Sequence, residues 1–188
     1  MNAFDYLSVL LSIVLGLAIA NVLARLATVV TARERIDFYW PPVAWAVWLF
    51  FISVQHWWAE WGVRHTRDWS FGAFWLELLV PVDLFLLSTL VLPERDASGP
   101  LDLGEWYFRN RRWFFALMFF LPATSIASEI ARTGHMSSTL NLAFLLAFDA
   151  VIAVAFFLPS RKAQEWITAQ ALVMTVLYVG LLFVRLPS

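Results

Sequence analysis

The chain has 188 residues, 61% of them hydrophobic and only 14% charged, with a mean hydropathy of +0.72. A soluble domain is nearer about 45–50% apolar and about 25% charged, and a fold of this length could not hide the excess apolar surface from water. The formal net charge is −1 and there is no cysteine, so a soluble enzyme, a disordered chain, a nucleic-acid binder and any disulfide or thiolate site are excluded. What remains is an all-α, polytopic integral membrane protein.

About 20 apolar residues are needed for a helix to cross the hydrocarbon core. Six segments meet that length, at about 4–29, 41–63, 70–92, 113–132, 139–159 and 163–186. The expectation is therefore one membrane domain over 1–188, a bundle of six transmembrane helices. The opening Met1-Asn2-Ala3-Phe4-Asp5 has no Lys or Arg. A secretory signal needs a positive n-region, so the first apolar segment is expected to be retained.

The first segment carries Ser8, Ser12, Gly16 and Ala20 at a spacing of four. Small residues on one stripe let a second helix backbone approach closely, so this stripe is expected to pack helices. Asp5 and Asn21 lie near its two ends. The second segment begins at Pro41-Pro42, where a missing N–H costs a helix nothing. Ser53, His56, Glu60 and Arg64 follow on one face, three or four residues apart. His56 and Glu60 form an i, i+4 pair that reads either as a proton-active or metal-binding pair or as a hydrogen-bonded polar helix end.

The third segment holds Glu77 and Asp83 with Pro81 between them. At 100° per residue the two carboxyls face directions about 120° apart, so they are expected to have different partners. Pro81 removes a backbone hydrogen bond and should kink the helix. The connector from Glu94 to Arg112 mixes charges with Leu101, Leu103, Trp106, Tyr107 and Phe108, and its part at about 101–110 reads as an interfacial helix. The fourth segment has Pro122 near its middle, then Ser125, Ser128, Glu129 and Arg132. The fifth has Asp149 near its midpoint and Asn141 two turns earlier. The sixth offers Gln164, Thr168 and Thr175 on one face, with Tyr178 beyond.

A charge at the bilayer centre costs from about 2.5 to more than 10 kcal/mol. Asp83 and Asp149 have no Lys or Arg at their depth in the sequence. Either they line a cation or proton path, or they are neutral acids hydrogen-bonded across a helix interface. An echo links them: Pro93 and Arg95 follow Asp83 at the same intervals as Pro159 and Arg161 follow Asp149. Such an echo reads as a duplicated hairpin or as the coincidence of two similar helix ends.

Nine of the 13 Lys and Arg residues fall at the ends facing the loops after segments one, three and five. By the positive-inside rule both termini lie outside the cytoplasm. Trp40, Trp106, Trp113 and Trp166 then form a cytoplasmic aromatic belt, and Trp57, Trp58, Trp61 and Trp69 an outer one. The nucleotide-loop, dinucleotide, HExxH and nucleophile-elbow motifs do not occur. Of His56, His65 and His135 only the first is clearly within a span, which leaves a two-histidine haem site without its ligands. A metal set of His56, Glu60, Glu77 and Glu129 is conceivable in the outer half, but the metal is left unassigned and no cofactor is expected.

The layout resembles that of small bacterial inner-membrane proteins, which implies a multi-pass location there and no particular activity. Small six-span bacterial potassium channels of the lysosomal type have a similar length, and Phe74-Trp75-Leu76 through Pro81 is loosely similar to them. Their first helix carries an Arg before Phe-Ser-Asp, and they start in the cytoplasm. The matching place here is Phe4-Asp5-Tyr6-Leu7-Ser8, so no residue role is carried across.

Two functions of different class follow. One is a cation or proton channel or transporter, with Asp83, Asp149, Glu77, His56, Glu60 and Glu129 as candidate transport groups and a homo-oligomer as its working form. The other is a non-catalytic membrane subunit, scaffold or assembly factor of a larger complex. An enzyme is the weaker third reading, because no nucleophile pair or cofactor motif supports it. In each case the bilayer is the solvent and no nucleic acid is a partner.

Overall fold

A computed structural model describes residues 3–60, 70–94, 100–136 and 138–182, with side chains at all of these but 3–6, 132, 133 and 182. Among the described residues the chain forms six α-helices: α1 (Ala3–Thr31), α2 (Trp40–Glu60), α3 (Phe71–Leu90), α4 (Leu103–Thr133), α5 (Thr139–Phe157) and α6 (Arg161–Leu182). Each overlaps one of the six expected segments. Asp5, Arg64, His65, Arg67, Trp61, Trp69, Arg132 and Arg185 fall where side chains or whole residues lie outside this description.

Four of the helices, α1, α3, α4 and α5, are long and apolar enough to cross a membrane. Helix α2 is made polar on the hydropathy scale by its prolines, Gln55, His56, Glu60 and five tryptophans. Its buried residues are Pro41, Pro42, Trp45, Ala46, Trp48, Leu49 and Ser53. It packs on α1, α3, α4 and α6, while α3 packs on α1 and α4, and α5 on α4 and α6. The pairwise contacts thus link α1, α3, α4, α5 and α6 in that order. Trp45, Ala46 and Leu49 of α2 are wholly buried. The Trp45 ring meets Trp48, Phe114 and Phe115 edge-on, with centroids 5.6, 5.9 and 5.7 Å away. Such edge-to-face pairs are each worth about 0.5–1.5 kcal/mol beyond their area.

One expectation is corrected. The stretch at 101–110 is not a separate interfacial helix. Leu101–Asp102 is a two-residue strand, paired in parallel with Ile36–Asp37 in the register Ile36 to Leu101 and Asp37 to Asp102. From Leu103 the chain runs as one helix of 31 residues. The Asp102 carboxylate starts it by accepting from the Glu105 amide at 2.9 Å. No Gly or Pro interrupts Glu105 to Leu121, so nothing stops the helix before the expected span begins. At 1.5 Å per residue α4 is about 46 Å long, against a hydrocarbon core of about 30 Å. Its other end stops at Gly134, which takes a left-handed φ of 70° and donates its amide to Ile130 at 2.9 Å.

The ends of α3 and α5 carry the polar construction of the bundle. Both run into Leu-Pro, at Leu92-Pro93 and Leu158-Pro159, and a proline cannot supply an amide to the carbonyls left behind. Buried arginines supply the donors instead. Arg25 of α1 donates to the Leu92 carbonyl and to Asn21 at 3.3 Å, and Asn21 donates to Ser88 at 2.8 Å. Arg111 of α4 donates to the carbonyls of Ala155, Phe156 and Leu158 at 2.5, 2.8 and 3.1 Å. Gln164 adds its amide to Ala155 at 2.8 Å and accepts the Tyr107 hydroxyl at 2.7 Å. Arg111 is 4% exposed and Gln164 is 0% exposed, so both act in a low dielectric where charge-assisted bonds are strong.

The sequence echo between α3 and α5 does not extend to these arginines. Asp83 and Asp149 are 66 residues apart, an offset that carries Arg25 to Val91 rather than to Arg111.

Replacing Arg111 with Met keeps the packing but leaves the end of α5 short of donors. The expected loss is about 2–3 kcal/mol of stability. Thermal unfolding in detergent, followed by circular dichroism, measures it. Gly134→Ala, strained at a positive φ, should cost only about 1 kcal/mol.

Candidate functional site

Away from the arginine-bound ends, the middle and C-terminal part of α2 and the middle of α3 face a cavity of about 120 Å³. Helix α2 contributes Trp48, Ile52, Gln55 and His56 to it, and α3 contributes Val80 and Leu84. Helix α4 brings Leu121, Pro122 and Ser125. From α5 come Phe144, Leu145 and Phe148, and from α6 Met174, Thr175 and Tyr178. The volume is room for several waters.

The polar groups around it are partly held. Trp48 donates its indole N–H to Thr175 Oγ1 at 2.7 Å, and Thr175 donates back to the Ala171 carbonyl at 2.9 Å. The Tyr178 hydroxyl donates to Asn141 Oδ1 at 2.9 Å. His56 Nε2 lies 3.6 Å from Glu60 Oε1, with the two side chains 18% and 14% exposed. Glu77, 5% exposed on α3, lies within electrostatic reach of the same imidazole. Glu129 on α4 lies within electrostatic reach of Tyr178. His56, Glu60 and Glu77 thus gather at one end of the cavity, and Glu129 stands toward α6. Among the described residues no group of three or more His, Asp or Glu side chains is arranged to hold a metal ion.

Asp83 and Asp149 are not in this group. Asp83 is 7% exposed and Asp149 is half-buried. Their Oδ2 and Oδ1 atoms, respectively, have no hydrogen-bond partner among the described residues. Helix α4 packs against both α3 and α5, while α3 and α5 are not among the extensively packed pairs. A hydrogen-bonded carboxyl pair across an α3–α5 interface is therefore not what the packing provides. Asp83 sits beside the cavity-lining Leu84 in the chain.

The small-residue stripe turns away from the rest of the chain. Ser12, Gly16 and Ala20 are exposed, and Leu11, Leu15, Ala18 and Val22 face the core instead. Ser8, at the start of the stripe, is half-buried. Within one chain, α1 therefore packs through large aliphatic side chains.

Three residues carry more than their sequence suggested. Arg25 and Arg111 served there only as markers of orientation, yet they are buried structural donors. Gln55 lines the cavity without having stood out. For Arg111 a signal was present: it falls on the stripe Tyr107, Arg111, Phe114, Met118, all of them buried. A basic residue on the apolar stripe of a helix points inward, whatever its value for counting charges.

Comparisons with protein-family models, with curated proteins and with solved structures found no match.

A carboxyl without a bonding partner contributes nothing to hold the fold, and burying it costs free energy. Asp83→Leu should leave the thermal midpoint in detergent unchanged or higher. A fall of several degrees would mean that Asp83 holds a structural bond.

Proposed function

We propose that this is a six-span bacterial inner-membrane protein, with both termini outside the cytoplasm, that passes a proton or small cation through its interior. The carrying observation is the pair of acidic side chains Asp83 and Asp149, set well within apolar helices and each with an oxygen lacking a protein donor. Acidic residues at such depth mark ion or proton pathways by default, because lipid alone would not tolerate them.

Further support comes from the cavity beside Leu84 and from the two prolines. Pro81 and Pro122 lie inside α3 and α4 and are buried, and Pro122 lines the cavity. A proline in a spanning helix frees a carbonyl one turn back, and such a carbonyl is tolerated where it meets protein or a water-filled space. In this reading His56, Glu60, Glu77 and Glu129 serve the mouth of the path, and Asp83 and Asp149 its interior. The basic residues at the ends of α1, α3 and α5 hold the orientation. The exposed Ser12, Gly16 and Ala20 favour a homo-oligomer, since they offer α1 a close approach to a second copy.

The same outward stripe also favours the second reading, a non-catalytic subunit docked through α1 on a different membrane protein. The two readings separate in reconstituted vesicles. Purified protein should conduct protons or monovalent cations on its own. Asp83→Asn and Asp149→Asn, correctly folded, should each reduce the flux by at least about tenfold, as expected when a buried titrating group is lost. Unchanged flux in both variants removes these carboxyls from the mechanism. A complete lack of flux in the parent protein, with a stoichiometric partner in mild detergent extracts, favours the subunit.

A further inference from the structure

We propose that the five-helix cavity is a binding site for a small alkylammonium ion, a ligand with one positive charge and an apolar surface. The inference concerns equilibrium binding and goes beyond ion conduction through the carboxyls.

Size comes first. An enclosed cavity of about 150 Å³ takes a benzene molecule, and the space here, though partly open to the outside, is of similar size. The cavity here, at about 120 Å³, fits a compact ligand of tetramethylammonium size.

The lining sets the chemistry. Two aromatic pairs border the space. Trp48 stacks on Phe148 with centroids 5.6 Å apart and planes 10° apart, and Phe144 meets Tyr178 edge-on at 5.8 Å. Aromatic walls attract a cation through the ring quadrupole, most strongly when water is excluded. They also accept the methyl groups that a metal ion or hydronium does not have. No Lys or Arg is among the lining residues. The Trp48 and Tyr178 donors are turned to Thr175 and Asn141, so neither is spare to receive an anion.

The charged surroundings have the matching sign. Glu77, buried on α3, lies within electrostatic reach of His56. The His56 Nε2 atom has no hydrogen-bond partner among the described residues. It lies 3.6 Å from Glu60 Oε1, so an N–H of a primary, secondary or tertiary ammonium would find a carboxyl oxygen beside the imidazole. A quaternary ion would use the aromatic walls alone. A neutral apolar occupant such as a lipid chain would satisfy the walls but make no use of the nearby Glu60 and Glu77 carboxyls.

The test uses the full chain, purified in detergent without a gradient, so that a failure of the transport reading leaves it unaffected. Isothermal titration calorimetry compares tetramethylammonium chloride with tert-butanol, a neutral ligand of the same heavy-atom count, in sodium chloride at matched ionic strength. The ammonium should bind at least about tenfold more tightly. Phe148→Leu and, independently, Phe144→Leu should each weaken it by about tenfold with helical content unchanged. Glu77→Gln should weaken the ammonium and leave tert-butanol unaltered. Equal binding of the two ligands overturns the proposal, and so does no binding of the ammonium. Wild-type affinity in either folded Phe variant also overturns it. The ligand comparison needs only the parent chain, so a variant that fails to fold does not remove the test.

Discussion

Every helix in a low-dielectric medium has the same difficulty at its ends: the last carbonyls have no amide partners, and lipid offers none. In this protein the difficulty is sharpest where α3 and α5 run into Leu92-Pro93 and Leu158-Pro159. The solution is to bring a guanidinium from another helix. A planar group with five donors can serve several carbonyls at once, which a lysine ammonium would do less well. Arg111 binds three carbonyls at the end of α5, and its positive charge also suits the negative end of the helix dipole. Because Arg25 belongs to α1 and Arg111 to α4, these bonds fix helix register as well as close helix ends. Gln164 and Tyr107 extend the second set from α6 to α4. The Tyr107 ring then reaches Tyr39 at 5.8 Å, ahead of α2. One end of the bundle is thus a continuous polar and aromatic lock.

Helix α2 carries its polar residues toward its C-terminal end. A helix with Gln55, His56 and Glu60 would be poorly received by lipid on all sides. Packed against α1, α3, α4 and α6, it meets a bonding partner for Trp48 and rings that pack its tryptophans, while the buried Trp45 Nε1 and His56 Nε2 have no hydrogen-bond partner among the described residues. Trp48 shows both at once, donating to Thr175 while stacking on Phe148. The helices with the higher hydropathy, α1 and α5 above all, expose broad apolar faces. Apolarity along a helix therefore reports contact with lipid better than it reports depth within the protein.

This distinction explains what could be read from the sequence. The six helices were legible because each is a long apolar run bounded by prolines, charges or glycine. Asp83 and Asp149 were legible as anomalies because no basic residue shares their depth. The start of α4 was not, because charges among Leu103, Trp106 and Tyr107 look alike in an interfacial helix and in the projecting end of a longer one. The direction in which the small-residue stripe of α1 faces was not legible either. Ser12, Gly16 and Ala20 satisfy a pattern for close packing, but the neighbour could be this chain or another, and spacing holds no information about which. The cavity depends on side chains from five helices, none adjacent in sequence across their connections. Only the packing of those helices could reveal it.

The two ends of the bundle differ in a way that bears on function. At the arginine-bound end the helix-end carbonyls are bonded and aromatic rings fill the interior. Toward the other end lie a cavity, a histidine nitrogen without a bond, the buried Glu77 and, near mid-helix, the two aspartates. Stability alone would not select that contrast, since an apolar side chain at Asp83 would lose no bond and would remove a burial cost. Free energy gained by the lock at one end offsets what is given up in the cavity half. A bundle held at one end also leaves the cavity-lining segments of α3 and α4, each broken in its hydrogen-bond ladder by Pro81 or Pro122, as the parts where small displacements disturb the fewest bonds. Helix motion to admit a ligand would therefore begin in that half and leave the Arg25 and Arg111 contacts in place.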